Sequence, residues 1–453
     1  MMTRHSRLMR YLMIAVVLGF AAVRPAAAQS VLRDSETELL FRDVSKPLII
    51  AAGLDPKSTS VVLLNDSEIN AFVAGGQIVY IQSGLLTAAD NVNQLQGVIA
   101  HELGHVAGGH VIRSGEGGKR ATGITILSLV AGALAMAAGA SADVGMGMMA
   151  LGQQAAMGSY LSFTRAQESS ADLAGAKYLS TAGLSGRGVL DFFKTLQNQE
   201  YRLAVYAKDS YDRTHPLSSE RIASLEEIFK KDPAWDRKPD PALEARFERV
   251  KAKLVGYVDP KHATTIYPET DQSIPAHYAR AYAYHLGAYP DKALQEANAL
   301  LATAPRDPFF LELKGQILLE SGKPTEALEP LRSAVKQAPD QPMIAAMLGH
   351  ALIATEKPAN YAEAKQVLKN AVNRDNDNPF AWYQLGIVYE SEGDTPRAAL
   401  ATAERNNLEG NPKLALASAE MAMRGIPKND PYWIRAQDIA MVSKEQIRKD
   451  KKR

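Results

Sequence analysis

The chain contains no cysteine. No disulfide can staple it, and any metal it holds must be bound by His, Asp or Glu. A chain without thiols has none to mispair in an oxidising compartment, which suits export. Excess charge is also missing. Lys and Arg number 51 against 50 Asp and Glu, a net charge of +1. That balance leaves no electrostatic footing for nucleic acid, which needs a strongly basic surface. Long apolar runs are scarce. Within the uncharged stretch Ala121–Ala142 the more fully apolar run, Ile124–Ala140, has 17 residues, at the lower limit for a membrane span, and its glycines and alanines make it weakly hydrophobic. What remains is an ordinary globular balance, 46% hydrophobic and 22% charged over 453 residues, with room for two or three domains.

The N-terminus carries Arg4, Arg7 and Arg10, an apolar segment Tyr11 to Ala22, and then Ala26-Ala27-Ala28. A positive region, a short apolar core and small residues at the cut site predict a secretory signal peptide over 1–28, leaving Gln29 as the first mature residue. Strand-like and helix-like stretches then alternate over 29–229. A charged, proline-punctuated segment over 230–273 reads as a connector with scattered helical pattern. From Ile274 the sequence is Ala/Leu-rich and helical up to about residue 445, and 446–453 is a short basic tail expected to be solvated.

The helical part repeats. Pro308, Pro342, Pro379 and Pro412 recur at steps of 34, 37 and 33 residues, and Gly315, Gly349 and Gly386 keep the first two of those steps. Helix, short turn, helix and loop at a period near 34, with prolines at the unit boundaries, form the tetratricopeptide pattern, here about four helix pairs. One such pair cannot bury its apolar face alone; stacked pairs bury a continuous core and leave a concave groove, suited to docking a polypeptide.

His101-Glu102-Leu103-Gly104-His105 is an H-E-x-x-H motif. It sits in Asn91–His110, where Leu95, Val98, Ile99, Leu103 and Val106 fall at helical spacing. Asn91 followed by Gln94 three residues later predicts the N-cap of that helix. One helical turn separates the two histidines, so both imidazoles converge on a single metal, while Glu102 is placed to act as general base on a water acidified by zinc. A third ligand is required. His110 lies nine residues after His101, one short of the third histidine of metzincins and about 100° away around the helix, so it is placed behind the ligands or in packing. Glu168 is the better candidate. On a second helix, Thr164–Leu179, Glu168 and Asp172 share a face, so Glu168 can ligate while Asp172 accepts a hydrogen bond from a ligand imidazole.

These pieces in this order resemble the zinc peptidase family that includes the CAAX prenyl protease and the bacterial heat-shock protease HtpX. Asn70-Ala71-Phe72 and Gly75-Gly76 precede Ile78–Gln82. Then follow His101–His105, Arg165 with Glu168 and Asp172, and Thr214-His215-Pro216 with Glu220-Arg221. The resemblance covers about Val31–Phe229. It implies one Zn2+ held by His101, His105 and Glu168, with Glu102 as base. It also implies an edge strand Ile78, Val79, Tyr80, Ile81 and Gln82 to which a substrate strand adds. His215 corresponds to a loop histidine that stabilises the oxyanion or fills the fourth metal position, and Arg221 to a residue that orients the carboxylates. The fold expected is mainly α with a small β-sheet, followed by an α-solenoid of tetratricopeptide repeats. With the signal peptide and the repeats, the whole chain resembles the periplasmic members of the family. That implies stalled or misfolded outer-membrane β-barrel precursors as substrates and the barrel-assembly machinery as a partner. The alternative is a chaperone or scaffold whose zinc site is closed. Ala121–Ala142 is expected to be a soluble helix, and Ser141–Gly158 a mobile loop that acts as a lid or touches the outer membrane.

Overall fold

The computed structural model describes residues 30–110, 113, 119, 122–131, 142–203, 215 and 219–451. The expected signal peptide lies outside the described residues.

The first half begins with strand β1 (Ser30–Leu32) and helix α1 (Ser35–Ala51), the latter capped by Asp34, whose side chain accepts from the Thr37 N–H. Three strands follow: β2 (Ser60–Asn65), β3 (Ala71–Ala74) and β4 (Ile78–Gln82). The sheet order is β1-β2-β4-β3, with β4 parallel to β2 and antiparallel to β3. Alternation fixes the faces of β4: Val79 and Ile81 are buried, while Tyr80 points the other way and stacks on Phe72 at 5.2 Å.

This order corrects one expectation. Ile78–Gln82 is not an edge strand; it is central, flanked on both sides. Gly75 and Gly76 have φ of 63° and 102°, a conformation that favours glycine. They fold Ala71–Ala74 back onto β4 as a hairpin, and among the described residues β3 takes the edge instead.

After α2 (Ser83–Ala88) comes α3 (Val92–Ala107), which carries the H-E-x-x-H motif and is capped at Asn91 as expected, with the Asn91 side chain accepting from the Gln94 N–H. Helix α4 covers 122–131. Helix α5 (Ala142–Thr181) is 40 residues long. It absorbs most of the segment expected as a loop over Ser141–Gly158, because nothing from Ala142 onward breaks a helix: alanines, methionines and Leu151 outweigh the isolated glycines. Helices α6 (Arg187–Leu203) and α7 (Ser219–Lys230) complete the layer around α3. The core gathers Leu40, Phe41, Val98, Ile99, Phe192 and Phe193 among others.

Residues 230–273 are largely helical, as α8 (Pro241–Val258) and α9 (Pro260–Ile266). Helix α8 adds Phe247, Val250 and Leu254 to the first core, so the chain crosses between its halves as a packed strut. Five helix pairs then follow, against about four expected. They are α10 and α11 (Ile274–Leu286, Pro290–Thr303), α12 and α13 (Pro308–Glu320, Pro324–Gln337), α14 and α15 (Pro342–Ala354, Pro358–Arg374), α16 and α17 (Pro379–Ser391, Thr395–Leu408), and α18 and α19 (Pro412–Gly425, Pro431–Asp450). The repeating prolines open the first helix of each pair, where a missing N–H costs nothing. The basic tail continues α19 to Asp450.

The halves are joined by buried charge. Lys253 of α8 reaches Asp34 at 2.6 Å and Glu36 at 3.3 Å, Tyr278 of α10 donates to Glu36 at 2.7 Å, and Arg249 bridges Glu36 and Asp307. Farther along the repeats, Arg33 donates to Asp375 at 2.9 Å.

Candidate metal centre

The site is built where α3 and α5 cross. Two glycines permit the approach. A Cβ on Gly104 would lie 2.6 Å from the Ala171 carbonyl oxygen, and one on Gly175 would lie 3.1 Å from the Ala100 backbone. The crossing is therefore backbone against backbone, and it sets Glu168 and Asp172 of α5 opposite His101 and His105 of α3.

The donor atoms converge. His101 Nε2 and His105 Nε2 are 3.1 Å apart, and each is 3.4 Å from an oxygen of Glu168. His215 Nδ1 lies 3.3 Å from His101 Nε2 and 3.2 Å from Glu168 Oε2. Four donors bonded tetrahedrally to zinc at about 2.0–2.1 Å stand about 3.3–3.4 Å from one another. The separations of 3.1–3.4 Å come close to the edges of that tetrahedron, and all four residues offer a donor atom within 4.8 Å of the others, so the donor set suits a zinc-sized ion. All four are buried, and they are the one group of metal-ligating side chains this close together among the described residues.

A second layer fixes the ligands. His101 Nδ1 lies 3.0 Å from Asp172 Oδ1, leaving Nε2 for the metal. Arg221 of α7 grips Asp172 with two donors, Nε at 2.7 Å and Nη2 at 2.8 Å, and Nη2 also lies 3.2 Å from Glu168. His110 Nδ1 is 3.0 Å from His105 Nδ1, holding that imidazole from behind. The Phe193 ring packs edge-on to His101 and beneath the Arg221 guanidinium.

Electrostatics favour a cation at the centre. Burial pushes the His101 imidazole toward neutrality, but hydrogen bonds to Asp172 and Glu168 prevail and raise it to about 10. His105 is driven the other way, to about 2, by burial and by the charge on His101. Glu168 is held ionised against its burial by His101 and His215. The carboxylates of Asp172 and Glu168 that raise His101 also favour a cation at this point. Glu102 is fully buried, its Oε1 lies 3.4 Å from His215 Nε2, and burial raises its carboxyl above the ordinary range. A carboxylate so placed is a poor structural residue and a suitable proton acceptor.

His101, Glu102, His105, His110, Glu168, Asp172, His215 and Arg221 are thus all brought together. The strand Ile78–Gln82 is one strand removed. The residue nearest that role is in β3: Gln82 N–H donates to Asn70 O, so alternation turns the backbone groups of Ala71 and Val73 to the open edge, and the Ala71 carbonyl lies 3.3 Å from His215 Nε2. The hairpin signal at Gly75-Gly76 could have located that edge. The glycine inside H-E-x-x-H, Gly104, is a sequence sign that another backbone passes close by.

Residues 9–229 match the family described as Peptidase family M48, and residues 278–342 match the Tetratricopeptide repeat. The first half therefore belongs to peptidase family M48, a family of metallopeptidases, and a tetratricopeptide array follows it. Among named relatives, the chain is 28% identical over 275 residues to the beta-barrel assembly-enhancing protease of Escherichia coli (strain K12), covering 58% of this chain and 54% of that one. It is 26% identical over 399 residues to the beta-barrel assembly-enhancing protease of Yersinia pestis, covering 84% of this chain and 71% of that one. The chain thus spans just over half the length of the E. coli relative. A solved tetratricopeptide protein, YrrB, aligns with 39% of this chain and 92% of its own at a TM-score of 0.32 and 20% identity.

Proposed function

We propose that this chain is a zinc-dependent endopeptidase of the periplasm whose repeats hold unfolded or misassembled polypeptide. The observation that carries it is the buried cluster His101, His105, Glu168 and His215 with a fully buried Glu102 beside it, 3.4 Å from His215 Nε2. Zinc bound there would supply Lewis acidity, polarising a peptide carbonyl and acidifying a water. Glu102 takes the proton of the attacking water and passes it to the leaving amine. Asp172 and Arg221 hold His101 and Glu168 in place while charge shifts. The substrate adds as a strand along the β3 edge, paired through the backbone groups of Ala71 and Val73, a mode that reads little of its side-chain sequence.

His215 occupies the position a substrate carbonyl or water needs. A site with four protein donors is closed, and opening it requires His215 to leave. We therefore read the described arrangement as the latent form. The same observation favours a second reading, in which the chain acts mainly as a chaperone and the closed metal site is structural. The names of the relatives extend the first reading to outer-membrane β-barrel precursors as substrates and the barrel-assembly machinery as a partner. The signal-peptide pattern supports export, and no helix among the described residues is long and apolar enough to cross a membrane.

Zinc competition titration tests the site. The full chain is expected to retain one zinc, and His105→Ala or Glu168→Gln to weaken its binding by at least about a hundredfold. Zinc binding unchanged by both substitutions would place the metal elsewhere and end this reading.

A further inference from the structure

Between Ala121 and Thr164 the sequence carries a single charged residue, Asp143. Helix α4 and the first turns of α5 lie in this run and touch where Gly152 meets Ser128, a Cβ on Gly152 falling within 2.0 Å of that side chain. Ile126, Leu127, Val130, Met146, Leu151 and Met157 are each half exposed or more, and among the described residues none joins a hydrophobic core. Soluble surfaces rarely gather so many uncovered apolar side chains in one place. The flanks are basic: Arg113 and Lys119 precede the run, Arg165 follows it, and all three are exposed. Among the described residues no helix is long and apolar enough to cross a bilayer.

We propose that α4 and the first turns of α5 dock on an anionic lipid surface. An apolar stretch whose one charge is Asp143, with exposed cations on its sequence flanks, matches the layering of such a surface. Leucine, isoleucine and methionine side chains enter the acyl boundary, and Arg113, Lys119 and Arg165 meet the phosphates. Glycines and alanines between the large side chains keep the insertion shallow and reversible. Helix α5 runs unbroken from this projection to Glu168 and Asp172. Leu151 and Glu168 are about 26 Å apart along its axis at ~1.5 Å per residue. Docking therefore fixes the distance of the metal centre from the lipid. The lipid contact stands by itself; its consequence for cleavage rests on the peptidase reading.

The test is vesicle flotation of the chain from Gln29 onward carrying Glu102→Gln, so that proteolysis plays no part. The vesicles are phosphatidylethanolamine with phosphatidylglycerol, beside neutral phosphatidylcholine. The protein is expected to float with the anionic vesicles at least about tenfold more than with the neutral ones, and to be released by high salt. Leu127→Ser, Leu151→Ser and Met157→Ser together are expected to lower partition at least tenfold with an unchanged helical spectrum. Lys119→Glu with Arg165→Glu is expected to remove the preference for anionic lipid. No flotation of the parent, equal flotation of the triple variant, or a parent that only self-associates would overturn the proposal. Any of these would leave zinc-dependent cleavage by the unsubstituted chain as it was.

Discussion

Arg221 holds the metal centre together from behind, and replacing it with methionine isolates that role. The guanidinium is 7% exposed, forks onto both oxygens of Asp172 at 2.7 and 2.8 Å, and reaches Glu168 at 3.2 Å. Methionine keeps the bulk against Phe193 and deletes the charge. Two buried carboxylates then lose their shared cation, a loss of about 3–5 kcal/mol for breaking a buried pair by removing one partner. In a domain of this size that corresponds to a fall of very roughly 6–20 °C in melting temperature, at about 2–4 °C per kcal/mol. Zinc compensates Glu168 but not Asp172, so saturating zinc should restore only part of the loss. Arg221→Lys keeps the charge without the fork and should fall between the two. The assay is thermal melting with chelator and with zinc, followed by circular dichroism and by amide exchange in α3. A fall below about 2 °C for Arg221→Met in chelator would refute the reasoning, because the carboxylates would then not depend on Arg221.

Three further outcomes follow from the same geometry. Gly104→Ala drives a Cβ to 2.6 Å from the Ala171 carbonyl oxygen, so it should cost about 1–3 kcal/mol and weaken zinc binding by pushing Glu168 away, read by melting and by zinc titration. His215→Ala should raise cleavage of casein about tenfold or more while loosening zinc, since it removes the fourth donor; a fall of about 10²–10³ would instead make His215 an oxyanion donor. Glu312 lines a cavity of about 410 Å³ between the halves with Lys253 and Tyr282, and burial raises its carboxyl to about 8. Between the unfolded value of about 4.3 and that raised value the folded state keeps a proton the unfolded state releases, so stability falls as pH rises through this window. Glu312→Gln should therefore match the parent near pH 4 and exceed it by about 2–4 kcal/mol near pH 9, measured by urea unfolding.

The sequence made the ligands legible because their spacing is helical and local. His101 and His105 are one turn apart, Glu168 and Asp172 are one turn apart, and in each case the helix alone sets the geometry. The repeats were legible for a similar reason: a period near 34 survives in proline and glycine positions. Sheet order was not legible in this way. Which strand ends at the edge depends on how a hairpin folds back across β4, a tertiary choice that the alternation of Ile78–Gln82 does not record, since a central and an edge strand share one pattern. The long α5 was also hidden. Its glycines read as loop, whereas at position 152 a glycine serves close contact with Ser128 and at 175 close contact with Ala100. The charges joining the two halves, Glu36, Lys253 and Arg249, could not be paired from the sequence because their partners lie 58 to 242 positions away (Arg249 to Asp307 at the near end, Glu36 to Tyr278 at the far end).

The central claim is that Glu102 acts as the base at a zinc held by His101, His105 and Glu168. It is tested most directly in the His215→Ala chain, where the closing histidine is gone, by following casein degradation with and without Glu102→Gln. The account predicts cleavage that is lost with chelator and restored by zinc, and no cleavage once Glu102 is replaced, with zinc content unchanged. Equal cleavage with Gln at position 102 would contradict it.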